Sequence, residues 1–232
     1  MGAALALQLF DEGLAVRVVE ARPGPSGERR TLALSEASRA RLERLGGWPA
    51  NASTPITDIH VSQKGNPGRT VITAAEQGLG ALGHTLTYAA LETCLDARLR
   101  DRGVAVSYGA ACEAISLDEA HVRVQLATGE EARSRLLVLA DGGVNARRIP
   151  GLSYEEKDYG QVAMTGPVWA DRPHGGRAYE RFTPQGPMAL LPMEERYALV
   201  WTASPSEAAQ TLALDDAAFL AKLQARFGDR AG

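Results

Sequence analysis

Apolar residues recur along this chain with two different periods. After Gly2, the residues Leu5, Ala6 and Leu9 fall at helical spacing, and Gly13 stands where such a helix would stop. "LAVRVVE" (14–20) is nearly continuous in hydrophobics, as a parallel strand covered on both faces must be. "RPGPSGERR" is a polar, Pro/Gly-rich loop. A second helix is predicted over 36–45, with Ser35 as N-cap and Gly46 as its stop. A third carries Leu91, Cys94, Leu95 and Leu99 on one stripe and ends at Gly103.

From Val104 the period changes from 3.6 to 2. "VAVSY", "CEAISL", "HVRVQLA" and "RSRLLVLAD" read as short strands, with "TGEE" a hairpin turn between the last two. Residues 151–178 show no period. "RAYERF", "MALLPM" and "YALVWTA" then form three strands of an antiparallel meander, and Asp215 can cap a last helix in which Phe219, Leu220, Leu223 and Phe227 share a face. The expected architecture is mixed α/β. A Rossmann-like layer holds 1–50 and 84–150, interleaved with an antiparallel-sheet domain fed by 51–83 and 151–232.

Composition narrows the function classes. With 232 residues, 45% of them hydrophobic, the chain can bury one large core or two small ones. A net charge of −3 gives no basic footprint for nucleic acid. Cys94 and Cys112 lie far apart, so a disulfide framework is not expected and a reducing, cytoplasmic setting fits. His60, His84, His121 and His174 share no metal-ligand spacing, so no metal is expected. No apolar run has membrane-spanning length, which leaves contact with a membrane surface open.

Three places carry candidate chemistry. In a dinucleotide-binding β-α-β unit the last glycine of the phosphate loop lets helix and strand pack closely. An acidic residue about 20 positions on accepts the ribose hydroxyls. Gly2 and Glu20 have that spacing, although a chain start and a solvated strand end would look the same. Arg30 precedes the second helix, where a guanidinium can grip a diphosphate; a solvated loop arginine is the plainer reading. "LLVLADGGVNARR" ends an apolar strand in Asp141-Gly142-Gly143, at the carboxyl end where such folds place their ligands, although an ordinary Asp-Gly turn reads the same.

Together, an acid after the first helix, an arginine before the second and a strand-final "ADG" followed by Arg148 resemble the flavin-dependent aromatic hydroxylases. "DIHVSQKGNPG", "ALGHTLTYAALETCL" and above all "AYERFTPQGPMALLPMEERYALVW" resemble the ubiquinone-biosynthesis branch of that family. The resemblance implies that Gly2 closes the phosphate loop, Glu20 binds the adenosine ribose of FAD and Arg30 lies near its diphosphate. Asp141 and Gly142 would serve both FAD and an NAD(P)H donor. Phe182, Met188 and Leu190 would line the substrate side. Three departures stand out. Asn145 replaces a usual serine, and Tyr88 occupies a position where some relatives place a polar flavin contact. The family's first strand and first glycines, and its second FAD motif, are expected beyond the two ends of this sequence.

The implied reaction is hydroxylation of a polyprenylated phenol by O₂ through a flavin hydroperoxide. The protein positions the ring and excludes water, so no catalytic acid, base or nucleophile is expected. The substrate would place the protein in the cytoplasm, peripheral to the inner membrane or beside other enzymes of the same biosynthesis. An NAD(P)-dependent dehydrogenase, or a non-catalytic fragment that binds no cofactor, are the rival readings.

Overall fold

The computed structural model describes residues 1–231. In chain order the first elements are α1 (Gly2–Asp11), β1 (Arg17–Val19), β2 (Thr31–Ser35), α2 (Glu36–Arg44), β3 (Ser53–Ile56), β4 (Asp58–Gln63), β5 (Arg69–Thr73) and β6 (Gly83–Thr87). Next come α3 (Tyr88–Asp101), β7 (Ala105–Ser107), β8 (Cys112–Leu117), β9 (Val122–Leu126) and β10 (Glu131–Ser134). The last stretch holds β11 (Val162–Val168), β12 (Arg177–Thr183), β13 (Gly186–Met193), β14 (Arg196–Ala203), α4 (Pro205–Leu212) and α5 (Asp216–Phe227). These elements divide into two compact units.

The first unit comprises Met1–Glu28, Arg41–Trp48 and Ala89–Lys157. β1 pairs in parallel with β7, Val18 opposite Val106. β8, β9 and β10 form an antiparallel sheet, and its hairpin closes where Gly129 donates to the Leu126 carbonyl at 2.9 Å. Alternation along β9 turns Val124 and Leu126 inward onto Ala110. α1 buries Ala6 and Leu7, and α3 buries Leu95 and Leu99.

Two expectations fail here for the same reason. The strand read over 14–20 is only three residues long and half exposed, with Leu14 and Val19 largely open to solvent. The apolar segment 136–140 is not a strand at all: it runs without a ladder partner among the described residues, and Leu136 is 72% exposed. Apolar content makes a segment fit for a strand, but only a neighbouring backbone makes it one.

The second unit comprises Arg29–Ala40, Pro49–Tyr88 and residues 158 onward. Arg29–Ala40, which the sequence places with the first layer, belongs here because β2 pairs antiparallel with β6, which also pairs with β3. A six-stranded sheet runs β11-β14-β13-β12-β4-β5, antiparallel except where β12 lies parallel to β4. The meander is therefore β12, β13 and β14. β11 falls in the stretch that has no period. Gly166 and Pro167 are poor strand formers, but seven consecutive pairings with β14 override that preference.

α4 and α5 pack Ala208, Leu223 and Phe227 against Met188, Leu190, Tyr197, Leu199 and Trp201. Both helices start on side-chain caps. Ser204 Oγ accepts from the Glu207 N–H at 3.3 Å, and Asp215 Oδ1 accepts from that of Ala218 at 2.8 Å.

Trp201 is fully buried, whereas Phe182 is half exposed. Truncating Trp201 to alanine is expected to cost about 3–5 kcal/mol, and Phe182→Ala less than ~1 kcal/mol. Urea denaturation followed by circular dichroism checks both values.

Candidate functional site

α1 begins at Gly2, where the first N–H groups of a helix have no intrahelical acceptor. A Cβ built on Gly2 would stand 3.0 Å from the Ala140 Cβ, so any side chain here would push the two segments apart. That contact sets the start of α1 against the chain leading into Asp141.

Asp141 shapes its own loop. Its Oδ1 accepts from the Gly143 N–H at 2.9 Å. Its Oδ2 accepts from the Asn145 N–H at 2.9 Å and from Asn145 Nδ2 at 2.7 Å. Asn145 therefore closes the turn with a direct amide bond. Gly142 and Gly143 sit at φ +75° and +91°, a left-handed pair that side chains resist. Partial burial works to raise the Asp141 carboxyl, but the Asn145 and Gly143 donors outweigh it and hold it below the ordinary aspartate range. A cleft of about 290 Å³ borders the loop, lined by Gly142, Gly143, Val144, Arg147, Tyr154 and Glu156. Arg147 pairs with Glu156, and its guanidinium lies 5.0 Å from the Tyr154 ring centre. Arg148 is tied to β8 instead, donating to the Glu113 carbonyl at 3.0 Å.

Glu20 follows β1 directly. Its N–H donates to the Ser107 carbonyl at 2.9 Å, and its carbonyl accepts from Ala110 at 3.0 Å, so the backbone is fixed on both sides. Its carboxylate faces Arg22, whose Nε, Nη2 and backbone N–H approach at 3.1, 2.9 and 2.9 Å. The Arg22 side chain is the main reason that the Glu20 carboxyl lies below the usual glutamate range. The acidic position was visible in the sequence; its arginine partner was not singled out, although the Glu-Ala-Arg spacing permits the contact.

The remaining predicted residues belong to the second unit. The Arg30 guanidinium stacks over the Tyr88 ring at 4.7 Å, and the Tyr88 N–H donates to the Arg30 carbonyl at 2.9 Å. The grouping of Phe182, Met188 and Leu190 on one face needs correction. Phe182 pairs with Pro187, and Met188 with Arg181, so Phe182 and Met188 point to opposite sides of the sheet. Met188 and Leu190 are buried in the core under α4 and α5. Phe182 shares the other face with Glu180, a carboxyl that burial pushes up and that has no hydrogen-bond or ion-pair partner among the described residues. Glu180 can hold or take up a proton on that face, and the sequence analysis passed it over.

This arrangement of helix start, acidic strand end and glycine turn defines a dinucleotide-binding unit, and the chain belongs to the FAD binding domain family, whose profile matches residues 1–232. It is 33% identical, over its whole length, to the "Ubiquinone hydroxylase UbiL" of Rhodospirillum rubrum. It is 30% identical to the "3-demethoxyubiquinol 3-hydroxylase" of Escherichia coli, again over the whole chain. The chain spans 56% and 62% of the lengths of these two relatives. The fold is that of Klebsiella pneumoniae HpxO, solved in complex with FAD: TM-score 0.71 at 20% identity, covering 98% of this chain and 60% of that one. No helix among the described residues is long and apolar enough to cross a membrane.

The Asp141 loop should be acid-sensitive. Its folded-state carboxyl lies below the unfolded value, so its contribution is complete above about pH 4 and is lost as pH falls through the lowered folded value. Hydrogen exchange at the Gly143 and Asn145 amides is expected to accelerate below that point. Asn145→Ala should weaken the loop by about 0.5–1.5 kcal/mol, seen as faster exchange at neutral pH.

Proposed function

We propose that this chain is the FAD-holding part of a monooxygenase that hydroxylates the ring of a polyprenylated phenol in ubiquinone biosynthesis. NAD(P)H is the electron donor and O₂ the oxygen source. The observation that carries the reading is the junction of α1 with the Asp141 loop at Gly2, in the same unit as Glu20. The names of the two full-chain relatives supply the substrate class.

The residues present fit the cofactor. Unsatisfied N–H groups at a helix start suit a diphosphate. A carboxylate that keeps acceptor capacity suits a ribose diol. In this reading Gly2 admits the diphosphate, Glu20 binds the adenosine ribose, and Asp141 fixes the loop whose Gly142 backbone approaches the cofactor and the donor. Arg30 is assigned to the diphosphate. FAD, when bound, supplies electron transfer from NAD(P)H and the activation of O₂.

The protein's own task is to bind, orient and exclude water. Phe182 offers an aromatic face to the phenol ring. Met188 and Leu190 stiffen the same sheet from behind. A polyprenyl tail would keep the substrate in a membrane, so the enzyme would work at that surface from the cytoplasm.

A titration with FAD, followed by absorbance and flavin fluorescence, tests the reading. Saturable binding with perturbed flavin bands is expected, and Glu20→Ala should weaken it at least tenfold, since hydrogen bonds to a charged acceptor are worth about 1.5–3 kcal/mol each. Binding of NADH with no binding of flavin would support a dehydrogenase instead. A chain that binds neither would contradict the proposal.

A further inference from the structure

Glu92 lies on α3, 72 positions beyond Glu20 in the sequence, yet its carboxylate reaches the loop that follows β1. Its side chain is only 13% exposed. Oε2 accepts from the Ser26 N–H at 2.7 Å and from the Ser26 hydroxyl at 2.8 Å. Oε1 lies 2.8 Å from Arg22 Nη2, the same nitrogen that stands 2.9 Å from Glu20 Oε2. One guanidinium is thus shared by two carboxylates from distant parts of the chain.

The sharing matters because of acceptor arithmetic. A carboxylate offers about four lone-pair sites. Arg22 already places three donors on Glu20, through Nε, Nη2 and its backbone N–H. A ribose diol brings two hydroxyl donors, so Arg22 must yield at least one position before both can bind. A guanidinium leaves a carboxylate readily only if a second anion receives it, and Glu92 is that anion, already within contact distance.

We propose that Glu92 is a positioning residue for the ribose site: it draws Arg22 away from Glu20 and so frees Glu20 to accept both hydroxyls of the dinucleotide ribose. The inference rests on the assignment of the FAD adenosine ribose to Glu20. Ser26 holds the Glu92 carboxylate in place through Oε2, which leaves Oε1 for Arg22. With Glu92 uncharged, Arg22 stays on Glu20 and competes with the diol.

The test compares FAD with its analogue lacking the 2′-hydroxyl of the adenosine ribose, by fluorescence titration of this chain. Glu92→Gln keeps the shape and the acceptor for Ser26 but removes the charge. It is expected to weaken FAD about tenfold and the analogue less than twofold. Adding Arg22→Gln to Glu92→Gln removes the competing cation and should restore most of the preference for FAD. In the absence of ligand, the Glu20 carboxyl, followed by NMR, should titrate lower in Glu92→Gln, because it loses an anionic neighbour and gains a fuller share of Arg22. An equal loss for FAD and the analogue would overturn the proposal and leave Glu92 a loop staple. Unchanged FAD affinity, or a Glu20 titration that does not fall, would overturn it as well. Wild-type chain that binds FAD and the analogue equally would instead show that Glu20 does not hold the ribose, and the role of Glu92 would fall with that assignment.

Discussion

The contact on which the first unit depends is the approach of Gly2 to Ala140. Only a residue without a side chain lets α1 start this close to the segment entering the Asp141 turn. The free N–H groups of that helix and the left-handed Gly142-Gly143 pair are thereby brought to neighbouring parts of one unit. Asp141 spends its carboxylate on internal bonds to Gly143 and Asn145, so its first role is to hold backbone in place. Glu20 is arranged differently. Its backbone is locked, but its carboxylate is held by a mobile kind of partner, an arginine with a second anion beside it.

The second unit divides its labour between the two faces of one sheet. On one face the alternate residues of β12, β13 and β14 close onto α4 and α5 as a dry core centred on Trp201. The other face carries Phe182 and the partnerless Glu180. Burying Met188 and Leu190 stabilises the sheet; it does not place those side chains against a ligand. A rigid backing of this kind lets the opposite face keep a fixed shape.

Much of this was legible in the sequence because it depends on local chemistry. Helical spacing, the Asp215 cap and the Gly13, Gly46 and Gly103 stops located α1, α2, α3 and α5. The alternating runs located the meander, and the resemblance to flavin-dependent hydroxylases pointed to Gly2, Glu20 and Asp141. What stayed hidden depends on partners distant in the chain. Segment 136–140 has the composition of a strand but no neighbour, while β11 has poor composition and a complete neighbour in β14. The face on which Met188 lies follows from its register with Arg181, which no local pattern reveals. The Arg22–Glu92 contact joins residues that no motif connects.

The central claim is that the start of α1, the end of β1 and the Asp141 turn together hold FAD. The most direct measurement is a map of amide chemical shifts in this chain during a titration with FAD. The account predicts that the resonances of Gly2, Ala3, Glu20, Arg22, Gly142 and Gly143 move together on one binding curve, while those of Leu223 and Phe227 in α5 stay still. Shifts centred on α5, or on the Asp141 turn without Glu20, would contradict it.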